Sequence, residues 1–195
     1  LHVLGCQMNK SDSERLENVL TLLGFEGAES ENDADLVGVV SCSVRQSAMD
    51  RIHGRFERWN EVKKVRPLLT LLTGCVLPAD KLSIGKKFDV LVDINEIVKL
   101  PAMISKVPGF ELTNQEVFSL AEYEDYFQFR PNYHETFRAF VPIMSGCDKF
   151  CTYCAVPYTR GREISRPAND ILNEVQPLIA RGYKEITLLG QNVNS

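Results

Sequence analysis

The chain has 195 residues, 44% of them hydrophobic, and a formal net charge of −4 at pH 7. This length predicts one large domain or one and a half small ones with a real core. The charge gives no general indication of nucleic-acid binding, and no apolar run is long enough to span a membrane. No basic region followed by an apolar run marks a secretory signal. We therefore expect a cytoplasmic protein with no membrane partner.

Strands and helices are predicted to alternate over the first 105 residues. Apolar runs at 1–4, 36–40, 68–72 and 88–92 predict strands. Between them, Ser11 and Glu14 predict a capping box that opens a helix ending at Gly24, and a longer helix should end before Pro67. Helical patterns also follow from Asp80 and over 97–104. This alternation predicts a parallel sheet of the α/β class.

Three of the six cysteines, Cys6, Cys42 and Cys75, each follow a predicted strand by two or three residues. The carboxyl ends of parallel strands share one edge, so these thiols are candidates for a common site. The spacing equally fits three unrelated half-buried cysteines. A structural zinc site is less favoured because it needs four ligands, and we expect His2, His53 and His134 to be ordinary surface or core residues.

A less regular segment separates this array from a second domain. Between Pro108 and His134, acidic and aromatic residues mix without a period, from Glu122 to Phe127. We interpret residues 107–134 as a linker, although its aromatic residues would also suit a groove. Residues 1–106 then form an amino-terminal domain, and residues 135–195 begin a second one.

The second domain starts with a predicted strand at 137–144, which leads into a run of three cysteines, Cys147, Cys151 and Cys154. This C-x3-C-x2-C loop suits three irons of a four-iron cluster and leaves the fourth iron open to a substrate. A helix with Pro167 near its start is predicted next, with Leu172 and Ile179 among its inward-facing residues and a kink or break at Pro177. A strand at 186–189 then precedes Gly190 and Gln191.

Two strands cannot bury both their faces, so this second domain is expected to be an unfinished barrel-like sheet. The chain begins at Leu1 inside an apolar run and stops at Ser195 after another, and we interpret it as a fragment cut at both ends. We expect the 195 residues alone to lack turnover.

Taken together, these motifs resemble the methylthiotransferase branch of the radical S-adenosylmethionine enzymes, over essentially the whole chain. The matching segments are 5–9, 41–45, 74–75, 146–154 and 156–162. Segments 156–161 and 188–194 are most similar to the tRNA-modifying type, which adds a methylthio group to isopentenyladenosine beside the anticodon. The types acting on a ribosomal-protein aspartate or on threonylcarbamoyladenosine share the cysteines.

The resemblance implies two [4Fe-4S] clusters and S-adenosylmethionine as cofactors. The cluster on Cys147, Cys151 and Cys154 would cleave S-adenosylmethionine reductively, and the resulting radical would take the hydrogen from C2 of the adenine. The cluster on Cys6, Cys42 and Cys75 would supply the sulfur, and a second S-adenosylmethionine would donate the methyl group.

The implied surroundings of the cofactor include Tyr153, which either packs on the adenine of S-adenosylmethionine or simply covers the cluster. Gly190 and Gln191 would approach the methionine part. The implied partners are the anticodon loop of tRNA, an external electron donor and a sulfur source, and we expect a monomer.

Basic residues are concentrated on the long helix and after the second cysteine loop. On the helix we favour a solvated face, whereas the arginines Arg160, Arg162 and Arg166 are candidates for tRNA phosphate contacts. A rival from another functional class is a non-catalytic iron–sulfur or zinc-binding interaction module.

Overall fold

A computed structural model describes residues 1–113, 120 and 123–194. Four strands form the first sheet, and every neighbouring pair is parallel, in the order β1-β2-β3-β4. These strands are β1 (His2–Leu4), β2 (Leu36–Cys42), β3 (Leu69–Cys75) and β4 (Val90–Leu91). The predicted α/β class and parallel sheet are confirmed.

Helices lie between the strands of this sheet. They are α1 (Gln7–Leu22), α2 (Gln46–Val65), α3 (Pro78–Ser83) and α4 (Leu100–Ile104), with 3₁₀ helices at Gly85–Lys87 and Ile94–Lys99. Residues 97–104 are helical, as predicted, but in two segments, because the 3₁₀ helix Ile94–Lys99 ends before α4, which has Pro101 near its start.

The hydrophobic core has two parts, one on each face of the first sheet. Leu16 of α1 packs with Leu71 of β3 on one face, whereas Trp59 of α2 packs with Val39 and Leu72 on the other. This division follows from the alternation of side chains along a strand, which sends neighbouring residues to opposite faces. Helices cover both faces of the sheet, as expected for parallel strands with buried residues on both sides.

The start of α1 differs from the prediction. The helix begins at Gln7, so Ser11 and Glu14 lie inside it rather than forming a capping box. The Asn9 side chain takes over the capping contact, since its Oδ1 accepts a hydrogen bond from the Cys6 amide at 3.1 Å. This places Cys6 directly at the amino end of the helix.

The segment expected to be a linker packs against the first core where it is described. Its residues 114–119, 121 and 122, among them Glu122, lie outside the described residues. Tyr126 and Phe129 are buried in the core that also holds α1. Phe127 and Phe129 help to line a cavity of about 590 Å³ beside the second domain. Aromatic residues of this segment therefore line a cavity, while its role as a linker stays a prediction.

The second domain contains two short sheets among its described residues. β5 (Arg138–Pro142) pairs in parallel with β8 (Glu185–Leu189), and β6 (Met144–Ser145) pairs antiparallel with β7 (Ile164–Ser165). The predicted strand 137–144 is therefore interrupted at Ile143, whose amide donates to the Leu189 carbonyl at 2.8 Å.

Two helices accompany these strands, α5 (Val156–Thr159) and α6 (Ala168–Ala180). Of the kink or break predicted at Pro177, the break is wrong, because α6 continues to Ala180. Leu172 and Ile179, predicted to face inward, are half or more exposed. The two-stranded sheet of β5 and β8 has a narrow face, on which Leu178 of α6 packs with Ala139 and Val141 of β5.

The two domains meet along α1. Met8 packs on Phe140 of β5 and Leu189 of β8. Further along the helix, Arg15 is fully buried and binds Glu174 of α6 at 2.8 Å. Within the described ranges, no helix is long and apolar enough to cross a membrane.

Candidate functional site

Cys42 and Cys75 are the last residues of β2 and β3, and they are register partners in the parallel pair. The strands thus reach as far as the cysteines, two residues beyond the predicted end of β2 and three beyond that of β3. The contact between the thiols lowers the pKa of Cys42 and, with burial, raises the pKa of Cys75. Within the pair, Cys42 is thus the thiol more easily deprotonated to the thiolate, the form that binds metal.

Cys6 joins this pair through Asn9, which is fully buried. The Cys6 Sγ lies 3.5 Å from Asn9 Oδ1, and Asn9 Nδ2 lies 3.9 Å from Cys75 Sγ. The same amide donates to the Ser41 carbonyl at 3.3 Å. One side chain therefore ties the three strand ends together, and the structure brings the predicted amino-terminal cysteines to one edge of the sheet. We call Cys6, Cys42 and Cys75 the amino-terminal triad.

Glycine is required at the base of this triad. Gly74 has a φ of +105°, and a Cβ added there would lie 2.4 Å from the Ser41 carbonyl oxygen. The backbones of β2 and β3 therefore approach each other closely just before the cysteines. Such close approach is a use of glycine that other residues cannot replace without a shift.

The second cysteine loop lies between β6 and α5. Cys147 is buried and its amide donates to the Gly161 carbonyl at 3.2 Å, whereas Cys151 is exposed and Cys154 half-buried. Gly146 has a φ of +79°, and a Cβ there would lie 2.0 Å from the Arg162 carbonyl oxygen. We call Cys147, Cys151 and Cys154 the loop triad.

The loop has one unusual backbone residue. Phe150 has a φ of +47°, the only positive φ outside glycine among the described residues. Non-glycine residues in this region are uncommon and cluster where the surrounding structure imposes them. The ring of Phe150 packs edge-on against Tyr158, and Arg162 lies over it at 5.6 Å. Through these contacts, the part of the loop between Cys147 and Cys154 packs against the segment that follows it.

The other predicted cofactor contacts lie beside this loop. Tyr153 is 91% exposed, so its ring covers nothing in the described chain. Gly190 follows β8, and a Cβ there would lie 2.6 Å from Met144 Cγ. Gln191 Oε1 is buried and accepts no hydrogen bond from the described residues. A buried acceptor without a donor calls for a hydrogen-bond partner, and a water or a ligand could supply it.

The donor chemistry of both triads fits an iron–sulfur cluster. No three His, Cys, Asp or Glu side chains of the described ranges are grouped so as to hold a single metal ion. A four-iron cluster does not need that grouping, since each cysteine binds a different iron. A structural zinc ion does need it, with four ligands around one metal.

The histidines have structural contacts, as expected. His2 stacks on Trp59 and lies 2.9 Å from Glu31, while burial lowers its pKa. His134 is exposed and pairs with Glu17. His53 is exposed on α2.

The basic residues of α2 pair mostly within the chain, for instance Arg55 with Glu31 and Lys63 with Asp89. The three arginines after the loop do not behave alike. Arg160 and Arg166 are buried, so their predicted contact with tRNA phosphates is wrong in this structure. Arg162 alone of the three is largely exposed, and it pairs with Asp148 at 2.9 Å.

Arg160 instead reaches the amino-terminal triad. Its Nε donates to Cys75 Sγ at 3.0 Å, and its Nη2 lies 2.5 Å from Asp12. Neither this contact nor the role of Asn9 was foreseen. Asn9 and Asp12 follow Cys6 at intervals of three residues, which is a recognisable signal for one side of a helix. The approach of Arg160 leaves no such signal in the sequence.

Comparison with known proteins gives two family matches. Residues 1–94 match the uncharacterized protein family UPF0004, and residues 141–195 match the radical SAM superfamily. Proteins described as tRNA-2-methylthio-N(6)-dimethylallyladenosine synthase align with nearly all of the chain. That of Treponema denticola is 39% identical over 98% of the chain and 45% of its own length.

Two further proteins with this description give the same result. That of Bacteroides thetaiotaomicron is 41% identical over 100% of the chain and 44% of its own length. That of Syntrophomonas wolfei is 43% identical over 98% of the chain and 44% of its own length. The chain belongs to the radical S-adenosylmethionine methylthiotransferase family. It spans less than half the length of these relatives, and family membership implies S-adenosylmethionine and an iron–sulfur cluster.

Proposed function

We propose that the protein is a transferase that adds a methylthio group to C2 of isopentenyladenosine next to the anticodon of tRNA. The observation that carries this proposal is the convergence of Cys6, Cys42 and Cys75 on one sheet edge, separate from the loop triad. A second three-thiol site would leave one iron open for an added sulfur, which a methylthio transfer needs. The description of the aligned relatives supports the same reaction.

The chain's own residues divide the work. The loop triad and the amino-terminal triad would each hold a cluster, and Asn9 keeps Cys6 and Cys75 together. When bound, the two clusters would supply reductive cleavage of S-adenosylmethionine and an open iron for the incoming sulfur. The Gln191 carbonyl would accept from the methionine part, beside Gly190, where the absence of a side chain lets Met144 pack closely. Exposed Tyr153 is available for stacking on the adenine.

The first test is iron and sulfide analysis after anaerobic reconstitution. Two clusters correspond to about eight irons per chain. Exchange of the amino-terminal triad for alanine should remove half of the iron, and exchange of the loop triad should remove the other half. His53→Ala is a matched control, since it removes an exposed potential ligand outside both triads. Tightly bound zinc in place of iron would favour the interaction module and contradict the proposal.

The substrate is tested by mass spectrometry of tRNA nucleosides from a strain that lacks the gene. Loss of methylthio-isopentenyladenosine, with its return on complementation by the complete gene, is the expected result. If that nucleoside persists unchanged, the ribosomal-protein aspartate and threonylcarbamoyladenosine become the substrates to examine. The reaction also implies an external electron donor, a sulfur source and a cytoplasmic location, where tRNA is modified, and we propose a monomer.

A further inference from the structure

Arg160 crosses from the second domain into the first. It ends the short helix α5, six residues after Cys154, and is only 3% exposed. Its Nη2 and Nη1 lie 2.5 and 3.3 Å from the two carboxylate oxygens of Asp12, and its Nε donates to Cys75 Sγ at 3.0 Å. The guanidinium therefore contacts both a carboxylate and a sulfur of the amino-terminal triad.

The backbone of Arg160 is also fixed. Its carbonyl accepts a hydrogen bond from Asn95 Nδ2 at 2.6 Å, and Asn95 Oδ1 accepts from Ser145 Oγ at 3.2 Å. Asn95 belongs to the first domain and Ser145 precedes the loop triad. Asn95 thus holds the segment after the loop and the strand before it in one place.

Asp12 is fully buried and has partners other than Arg160. It accepts from Tyr126 Oη at 2.8 Å and from Asn9 Nδ2 at 3.4 Å. A buried ion pair alone adds little stability over apolar residues of the same size. Docking of the domains would need only the carboxylate contact, so the donation from Nε to sulfur calls for another reason.

We propose that Arg160 is a positioning residue that raises the reduction potential of the cluster on the amino-terminal triad through its hydrogen bond to Cys75. Hydrogen bonds and positive charge at the ligating sulfurs stabilise the reduced, more negative cluster. The same residue joins the segment after the loop triad to the amino-terminal triad. This inference rests on the proposed function, in which Cys6, Cys42 and Cys75 are cluster ligands.

The charges make a signed expectation possible. Removing the guanidinium removes the positive charge nearest the sulfur, so Arg160→Met should shift the potential to lower values. Removing the Asp12 charge leaves Arg160 uncompensated, so Asp12→Asn should shift it to higher values. Arg160→Lys keeps the charge without the fork of donors and should lie between the wild type and Arg160→Met. General loosening of the domains would move all variants in the same direction.

The experiment uses the reconstituted complete protein with the loop triad exchanged for alanine, so that one cluster remains. Its potential is measured by redox titration followed by electron paramagnetic resonance. Arg15→Met is the matched control. Arg15 is also buried and also binds a carboxylate of the other domain, that of Glu174, but it contacts no cysteine that the described residues show. We expect its potential to equal that of the background.

The outcomes separate the two claims. If the background binds no iron, the assignment of the amino-terminal triad fails, and the inference is overturned with it. If the cluster forms and neither Arg160→Met nor Asp12→Asn moves the potential, the inference is wrong while the proposed function stands. Equal shifts in Arg160→Met and Arg15→Met would also overturn it. Should Arg160→Met fail to fold, the opposite shift in Asp12→Asn and the intermediate one in Arg160→Lys still decide the matter.

Discussion

Replacing Gly74 with alanine is expected to force apart the strand ends that carry Cys42 and Cys75. The added Cβ would lie 2.4 Å from the Ser41 carbonyl oxygen and 2.9 Å from its amide nitrogen, both of them backbone atoms. Neither atom can rotate away as a flexible side chain would. The strand β2 must therefore move just before Cys42, or the peptide of Gly74 must turn.

The cost has two sources that the structure separates. A φ of +105° is strained for any residue with a Cβ, at roughly 1–2 kcal/mol. The close contact with Ser41 is overpacking, which adds about 1–3 kcal/mol. Against a total stability of about 5–15 kcal/mol, the protein should still fold. The geometry of the amino-terminal triad, which depends on the register of β2 and β3, should be affected first.

Urea denaturation followed by circular dichroism measures the loss of stability. Iron content after reconstitution measures the damage to the amino-terminal triad. Gly109→Ala is the matched control, because Gly109 has a φ of +85° and no atom within 4 Å of the added Cβ. It carries the strain without the contact, so it should lose less stability and keep all of its iron. If the two variants unfold at the same urea concentration and bind the same iron, the argument from close approach is refuted.

Three further changes test other parts of the structure. Glu174→Gln removes the only charge in contact with buried Arg15 and Arg166 that the described residues show, and should cost about 3–5 kcal/mol in urea denaturation. Burial raises the pKa of Glu14 to about 7, so the folded protein favours the neutral carboxyl, and stability should fall as the pH rises from 4.5 through 7. In thermal melts, Glu14→Gln should therefore be more stable relative to the wild type at pH 8 than at pH 5, and an equal difference at the two pH values would contradict the raised pKa of Glu14. Leu71→Ala, at a fully buried position of β3, should cost about 2–5 kcal/mol by the same urea assay.

The first sheet could be predicted from sequence because its information is local. Apolar runs of strand length separated by helical periods define the strands, and parallel order follows from the alternation. The convergence of Cys42 and Cys75 then follows from topology alone. What the runs do not fix is the last residue of each strand, since pairing with a neighbour extends β2 and β3 into the cysteines.

The second domain was predicted less well, because contacts between residues far apart in the chain determine where its strands end and which helix face is buried. The inward face of α6 was assigned from a helical period, yet Leu172 and Ile179 are exposed beside a two-stranded sheet. The interruption at Ile143 depends on hydrogen bonds to Leu189 and Arg166, which lie far along the chain. A periodic pattern contains no information on either partner.

Arg160 shows why charge patterns mislead near a site of this kind. Three arginines in a stretch of seven residues, 160–166, follow an exposed loop. Such a stretch predicts a basic surface, and a phosphate-bearing partner is the usual reason for one. Burial of Arg160 is offset by a carboxylate in the other domain, and Asp12 is available there because α1 begins at Gln7, directly after Cys6, rather than near Ser11. The misplaced start of the helix and the misassigned arginine are thus one error. With α1 begun at Gln7, Asn9 and Asp12 fall on the side of the helix next to the first cysteine, and a buried acid there needs a buried cation.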